Sequence, residues 1–477
     1  MFRNSLYLLG SETLARILSL AVIAVLARRL GVADFGLFSL ASAVAFLAGI
    51  GMDFGLNFHG VRESAREPAR IPELLGNTLL IKFALSIALC LAVWIGFRLA
   101  GANFTLVLAT RNLCLWIAIL TLGNSYRMLL RGRERMDIEA WITVADALFK
   151  SGLALLAALF ADLETVTLAI ALSAGLTFFL ARHLAHRRFI HEPVRFAPSR
   201  LGPMLAASFP ILLSLLLLNA FSSTTFFLVG RLLPEYPTGL YAAGDKIYKL
   251  LFMLPLVLGQ AAYPRLASLP PGPDLEALIR RLYTVSSAAL APISAGLILF
   301  APEALRFLFG PAFVSAAPAL RLLSLAAFCI PALYAGLHIL NARRDGALAS
   351  ISLAAAMAVL LLLNLVLLPR FQMIGAAWAE LSGMSLLSLA FLLFSARYSS
   401  SPHFVLRLAP RICLLGLPLA LAWLGSATGP WRPLFWLSGL AGTGLTLHRV
   451  EPQLLSSLLA QLRPFSSQLP SREVIRL

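Results

Sequence analysis

Apolar runs of about 20 residues recur from Leu6 to Leu447, separated by short polar interruptions. A run of that length crosses roughly 30 Å of hydrocarbon at 1.5 Å per residue, so repetition on this scale commits the chain to a bilayer. About fourteen spans are read: 6–28, 36–58, 78–100, 108–128, 139–161, 164–186, 204–228, 239–262, 280–301, 319–341, 347–369, 374–396, 409–427 and 431–447. Hydrocarbon offers backbone groups no water to bond, so each span must be helical. Composition agrees: 13% of residues are charged, where a soluble domain carries roughly a quarter. The first run, interrupted by Glu12 and Arg16, is too long for a cleaved signal peptide and counts as a helix. The expected fold class is an all-α integral membrane protein.

The formal net charge of +17 raises nucleic acid as a partner. The basic residues, however, lie in short loops between spans, with no soluble basic domain to hold them, and nucleic acid is not expected. Membrane topology accounts for them better, because Lys and Arg accumulate on the cytoplasmic side. With the N-terminus inside, roughly 25 of the 39 Lys and Arg fall in cytoplasmic segments and about 9 in external ones. Both termini are then cytoplasmic, in a multi-pass membrane protein. Arg28 and Arg29, in the first external turn, break that bias. Cys90, Cys114, Cys329 and Cys413 fall in spans without close spacing, so they read as packing residues, and no metal site is expected. Loops stay under about 25 residues, which leaves no room for a catalytic domain. No phosphate loop of the GxxxxGK[ST] type appears.

An internal repeat organises the spans. "VGRLLPEYPTGLYAAG" (Val229 to Gly244) repeats "ARRLGVADFGLFSLA" (Ala27 to Ala41) with one extra residue, pairing Arg29 with Arg231, Gly36 with Gly239 and Phe38 with Tyr241. "FHGVR" and "AAYPR", then "RGRER" and "NARRD", match at nearly the same offset. The expected architecture is two pseudo-symmetric six-helix lobes, 1–200 and 201–400, an extra helix pair at 401–450 and a polar cytoplasmic tail at 451–477. Repeated membrane halves commonly enclose a substrate path and move against each other, which favours a transporter.

Five ordered stretches carry a more specific resemblance: "ARRLGVADFGLFSLA", "DFGLNFHGVRESARE" (Asp53 to Glu67), "LLRGRERMDIEA" (Leu129 to Ala140), "GLYAAGDKIYKLLFMLPLVLGQAAYPRLA" (Gly239 to Ala267) and "NLVLLPRFQMIGAAWAE" (Asn364 to Glu380). With these the chain resembles the polysaccharide repeat-unit flippases of the multidrug, oligosaccharidyl-lipid and polysaccharide exporter superfamily. The resemblance implies a non-enzymatic carrier that moves undecaprenyl-pyrophosphate-linked oligosaccharide across the bacterial plasma membrane for O-antigen, capsule or exopolysaccharide synthesis. The implied partners are the bilayer, the lipid-linked glycan and the polymerisation machinery that would consume it, with the chain acting as a monomer. Two other readings stand beside it. A cation-coupled drug exporter of the same superfamily would present acids to its cargo; a membrane-embedded polymerase or ligase would need large external loops.

Charged groups inside spans are the candidate site, because lipid exposure of each costs a few kcal/mol. A pyrophosphate in transit needs cations to replace its hydration. Arg16, Lys246, Lys249, Lys150 and Lys82 are candidates for that role. Glu12 with Arg16, Asp146 with Lys150, and Asp245 with Lys249 stand at helical spacing, so each pair can equally neutralise itself. Lys82 and Arg111 are near enough to span ends to snorkel. Arg28, Arg29 and Arg231 form an external rim, as lipid anchors or a release gate. Arg62 and Arg66, with Arg70, recur every fourth residue on one helical face, as a plain cytoplasmic loop or a headgroup-capturing surface. Glu380 and Asp53 are candidate coupling acids for H⁺ or Na⁺; no other cofactor is expected. Spans 1–6 contain no proline, whereas Pro210, Pro255, Pro292 and Pro331 fall in spans 7–10 and mark kinks there, which predicts that the first lobe moves largely as a rigid body while bending during transport concentrates in helices 7–10, or else that the prolines set static shape only.

Overall fold

The computed structural model describes residues 2–67, 70–160, 162–188, 193–343, 345–398, 404–426 and 432–450. The tail expected at 451–477 lies outside them. Among the described residues every regular element is a helix. Nine stretches among the described residues are long and apolar enough to cross a membrane, and two of these, 10–66 and 346–398, are 57 and 53 residues long. At 1.5 Å per residue each of those two is long enough to cross twice.

Each also contains a break. Helix α1 (Phe2–Asp53) turns at Gly31, with φ 79° and ψ 178°, a conformation that glycine reaches without the steric cost of a Cβ. The first external turn read from the sequence is therefore one residue of backbone between legs 2–30 and 32–53. Helix α2 (Leu56–Arg66) continues the second leg after Phe54 and Gly55, both at positive φ. The following helices are α3 (Ile71–Leu99), α4 (Phe104–Gly132), α5 (Met136–Ala157), α6 (Leu163–Arg188) and α7 (Leu201–Leu232). Asp162 starts α6 by accepting the Thr165 N–H at 2.9 Å and its hydroxyl at 2.7 Å. These bonds hold its carboxyl below the usual carboxylate range.

Span 8 divides into α8 (Glu235–Leu250) and α9 (Met253–Ser268), and α10 (Pro273–Leu299) forms span 9. The connection after it folds into α11 (Ala301–Leu308) and a 3₁₀ turn at Pro311–Ala316. Span 10 divides into α12 (Ala317–Ala327) and α13 (Ile330–Ala342). Helix α14 (Gly346–Ser395) holds spans 11 and 12, broken at Gln372 with φ 49°. Helices α15 (Phe404–Gly425) and α16 (Arg432–Val450) complete the fourteen.

The proline expectation needs correction. Pro210 and Pro292 do lie inside α7 and α10. Pro255 and Pro331, however, sit in the first turns of α9 and α13, where a missing N–H removes little or no intrahelical bonding. They begin helices after a break and do not kink continuous ones. Pro369 lies inside α14, and Pro410 and Pro418 lie inside α15.

The chain forms two compact units that interleave along the sequence. The first holds the described residues up to 247 together with 302–323 and 350–383; the second holds 248–301, 324–349 and the described residues from 384 onward. Lipid is as apolar as leucine, so close packing and polar bonds hold such helices together. In the first unit Ile71, Leu75, Tyr126, Leu129 and Ile142 form one buried cluster. The segment between α6 and α7 is tied to α3 by paired bonds between Asn77 and the Ala197 backbone, both at 3.0 Å. In the second unit Leu266, Ile279, Tyr283, Ile339 and Leu408 pack together. The extra helix pair docks on α10 there, with Ala291 and Ile298 against Leu419 and Ala422. Trp436 donates its indole N–H to the Pro292 carbonyl at 3.1 Å.

Candidate functional site

The break between α1 and α2 lies deep in the first unit and brings two candidates together. The Asp53 carboxylate ends α1 and pairs with Nζ of Lys82 on α3 at 2.8 Å. Lys82 also donates to Asn57 Oδ1 at 2.7 Å and to the Thr121 carbonyl at 3.2 Å. Its side chain is fully buried. Lys82 therefore does not snorkel, because carboxylate, amide and carbonyl oxygens on neighbouring elements replace the water it would otherwise reach.

A second buried cluster, not among the sequence candidates, joins α4 and α5. Glu139 on α5, fully buried, accepts from Arg127 Nε at 3.1 Å and Nη2 at 2.8 Å, and from Arg131 Nε at 2.9 Å and Nη2 at 2.6 Å. Arg127 also reaches the Thr143 hydroxyl at 2.7 Å. Two guanidiniums on one turn of α4 thus clamp one carboxylate. Arg127 and Arg131, one helical turn apart just ahead of an in-span glutamate, carried the signal in the sequence.

Glu380 on α14 is buried and accepts the Thr225 hydroxyl of α7 at 2.7 Å. Asn364 donates to Thr225 at 3.3 Å, while its own Oδ1 is buried with no hydrogen-bond partner among the described residues. Tyr241 and Asp245 of α8 are buried in the same unit. Carboxylate, hydroxyl and amide oxygens of this kind suit a proton or a hard cation. Among the described residues no group of three or more His, Cys, Asp or Glu could hold a metal.

The remaining candidates are scattered. Arg16 pairs with Glu12 at 3.9 Å on an exposed face. Asp146 and Lys150 look apart: Asp146 accepts from Thr177 at 2.8 Å, and Lys150 lies 5.6 Å from the Trp116 ring centroid. Lys246 and Lys249 are half-buried on α8. Arg28 donates to the last carbonyls of α11, to Leu308 at 3.1 Å and to Phe307, which explains a cation in this turn by the partial negative charge of a helix C-terminus. Arg29 is exposed. Arg231 lines a cleft of about 680 Å³ with Leu37, Phe97 and Glu235. Arg62 and Arg66 are exposed on α2. That helix ends at Arg66, so Arg70 leaves their face and pairs with Glu67.

The repeat itself acquires a physical meaning. A Cβ on Gly36 would lie 2.7 Å from the Gly239 nitrogen and 3.0 Å from its Cα, and one on Gly239 would collide with the Val32 carbonyl. The two glycines paired by the internal repeat are in backbone contact, at the end read from the sequence as external.

A family described as "Polysaccharide biosynthesis protein" matches residues 1–269. No curated protein matches the chain. Among solved structures it is similar to a lipid II flippase MurJ in an inward closed conformation, with a TM-score of 0.75 at 13% identity, covering 95% of this chain and 100% of that one. An inward-facing multidrug resistance MATE family transporter of the MOP superfamily follows at 0.62 and 17%, covering 83% and 95%. A eukaryotic MATE transporter gives 0.54 and 16%, covering 85% and 99%. At these identities the likeness is one of fold.

Proposed function

Because the chain belongs to the polysaccharide biosynthesis protein family, we propose that it is the carrier of that process, flipping undecaprenyl-pyrophosphate-linked oligosaccharide between leaflets of a bacterial plasma membrane by alternating access. Its N-terminus is cytoplasmic in this reading, and the Gly31 turn is external. The observation that carries the proposal is the contact between Gly36 and Gly239. In a pseudo-two-fold molecule a residue meets its own counterpart only on the axis. Here that meeting involves two residues without side chains, so the backbones touch directly at the axis, while Leu40 seated against Gly230 and Asn103 bonded to Glu235 at 2.8 Å hold the rest of the seam. Parting such a seam breaks a small number of side-chain contacts, which alternating access requires.

Arg16, Lys246, Lys249, Lys150 and Lys82 are proposed to balance the pyrophosphate, Lys82 acting from within its pair. Arg62 and Arg66 would capture the headgroup, and Arg29 and Arg231 would release it. Glu380 with Thr225 and Asn364 is the proposed coupling site for H⁺ or Na⁺, and Asp53 is the second. The carrier works as a monomer and hands its cargo to polymerising machinery.

Vesicles containing only this protein and a lipid-linked oligosaccharide test the reading. The glycan is expected to become accessible to a sugar-oxidising reagent on the opposite face, faster with an imposed ion gradient. Arg16→Ala and Lys246→Ala should slow it without preventing insertion. Accumulation of cationic drugs in place of glycan movement would replace the proposal with the drug exporter, and new glycosidic bonds would replace it with the polymerase.

A further inference from the structure

The second unit contains a row of rings that neither the charged clusters nor the family match explains. Tyr248, in the last turn of α8, meets Phe252 edge to face at 5.1 Å between centroids, and Phe252 meets Tyr334 of α13 at 6.2 Å. Tyr334 stacks on His338, one turn further, at 6.4 Å and 27°. His338 meets Tyr263 of α9 at 6.0 Å. The five rings make a continuous file. It begins at the break between α8 and α9 and ends near the last turns of α9 and α13, at the end read as cytoplasmic. Tyr263 is exposed, and Phe252, Tyr334 and His338 are half-buried, so the file is open along one side.

Two details set it apart from space filling between helices. Gly259 makes room for it, since a Cβ there would collide with Cδ2 of His338. Within a spanning segment, His338 Nε2 is buried with no hydrogen-bond partner among the described residues. Leucine would pack the same gap without stranding a polar atom away from water.

We propose that this file is a stacking track for the sugar rings of the glycan headgroup. The inference rests on the flippase reading and adds to it the part of the cargo that the cations do not address. Pyranose C–H faces carry partial positive charge and lie against the negative faces of aromatic rings. Their hydroxyls would bond to the phenol of Tyr263 and, once the imidazole swings away from Gly259, to the unpartnered Nε2 of His338. A neutral file suits a neutral chain of rings, which can slide from one platform to the next without leaving a charge behind. A prenyl chain would accept the ring faces but has nothing to offer the nitrogen.

The test uses the full chain in lipid nanodiscs and saturation-transfer NMR with soluble hexasaccharides, namely an α-1,6-glucan, a chitin oligomer and a β-1,4-mannan, with farnesol as the chain-only probe. At least one oligosaccharide is expected to show transfer at its axial ring protons. Affinity should fall about tenfold in the double variant Tyr334→Leu, His338→Leu and change little in Tyr334→Phe, which keeps the face. Thermal unfolding of each variant identifies loss of fold, and Gly259→Ala, which displaces the imidazole without removing it, should weaken binding in the same direction. Absence of transfer from all three oligosaccharides, or native affinity in the folded double variant, overturns the track. So does a response to farnesol alone that depends on His338. The two readings fail separately: oligosaccharide binding without lipid-linked transport refutes the flippase and leaves the track, whereas native transport by the folded double variant refutes the track alone.

Discussion

Spans 2 and 8 occupy matching places in the two lobes, and both are broken, but the breaks are filled by different chemistry. In span 2 the chain turns through two left-handed residues, Phe54 and Gly55, and the gap holds the Asp53–Lys82 pair. In span 8 the break is a 3₁₀ turn, with Leu251 donating to Tyr248 at 3.0 Å and Phe252 to Lys249 at 3.3 Å, and its surroundings are rings. A shared backbone plan thus carries an ion pair at one break and stacked rings at the other. A cargo with an anionic end and a neutral sugar chain would need both, which is why the comparison bears on function as well as fold.

The largest expected effects lie on the ionic side. Arg127→Ala leaves the buried Glu139 with only the half-exposed Arg131 and should cost on the order of 3–5 kcal/mol, read as a lower unfolding temperature in detergent and less protein in the membrane. Lys82→Met should cost nearly as much, because it strands Asp53 beside the break. The double variant Lys82→Met, Asp53→Leu should recover much of that loss. A double variant as unstable as the sum of the two singles would mean that the pair is not coupled, and span 2 would lose its ionic character.

On the neutral side Phe252→Ala should cost about 1–3 kcal/mol, less than a fully buried ring, since one edge is already open. Gly36→Ala tests the axis that relates the two spans. Its methyl has no room against Gly239, so it should favour the state in which that seam is open. Cysteines in place of Asn103 and Glu235, whose side chains meet at 2.8 Å at the same end, should cross-link in the resting protein and lose that reactivity when Gly36→Ala is added. Cross-linking that Gly36→Ala leaves unchanged would remove the glycine contact as the closing element.

How much of this was legible depends on what set each feature. Bilayer thickness fixes span length, so fourteen spans could be read from apolar runs, including the two pairs that α1 and α14 each run together. The breaks were harder. A 3₁₀ turn at Leu251 and Phe252 has no compositional mark, though Gly55 beside Asp53 was one. Charges could be read as residues but not as pairs, because their partners lie on other helices. Asp146 passes over Lys150 for Thr177, and Lys82 finds Asp53 across two helices. The ring file did leave a trace, in the one-turn spacings of Tyr248 with Phe252 and Tyr334 with His338, together with a glycine facing them.

The smallest expected effect asks what makes the span 8 break. Pro255 stands in the first turn of α9 and has no N–H to give the Leu251 carbonyl, and its ring would crowd that carbonyl if the helix ran straight through. If proline sets the break, Pro255→Ala allows α8 and α9 to join, and amide exchange at residues 251–256 should slow. Global stability should move by less than about 1 kcal/mol, since one bond is gained while the unfolded chain recovers freedom. Transport should slow more than the amount of folded protein falls, because straightening the turn moves Phe252 out of line with Tyr334. If instead the rings set the break, exchange stays as it was and Phe252→Ala straightens the helix where Pro255→Ala does not. That second outcome would make the two spans more alike: each would be broken by what its side chains hold, an ion pair in one and a stack of rings in the other, with the backbone only following.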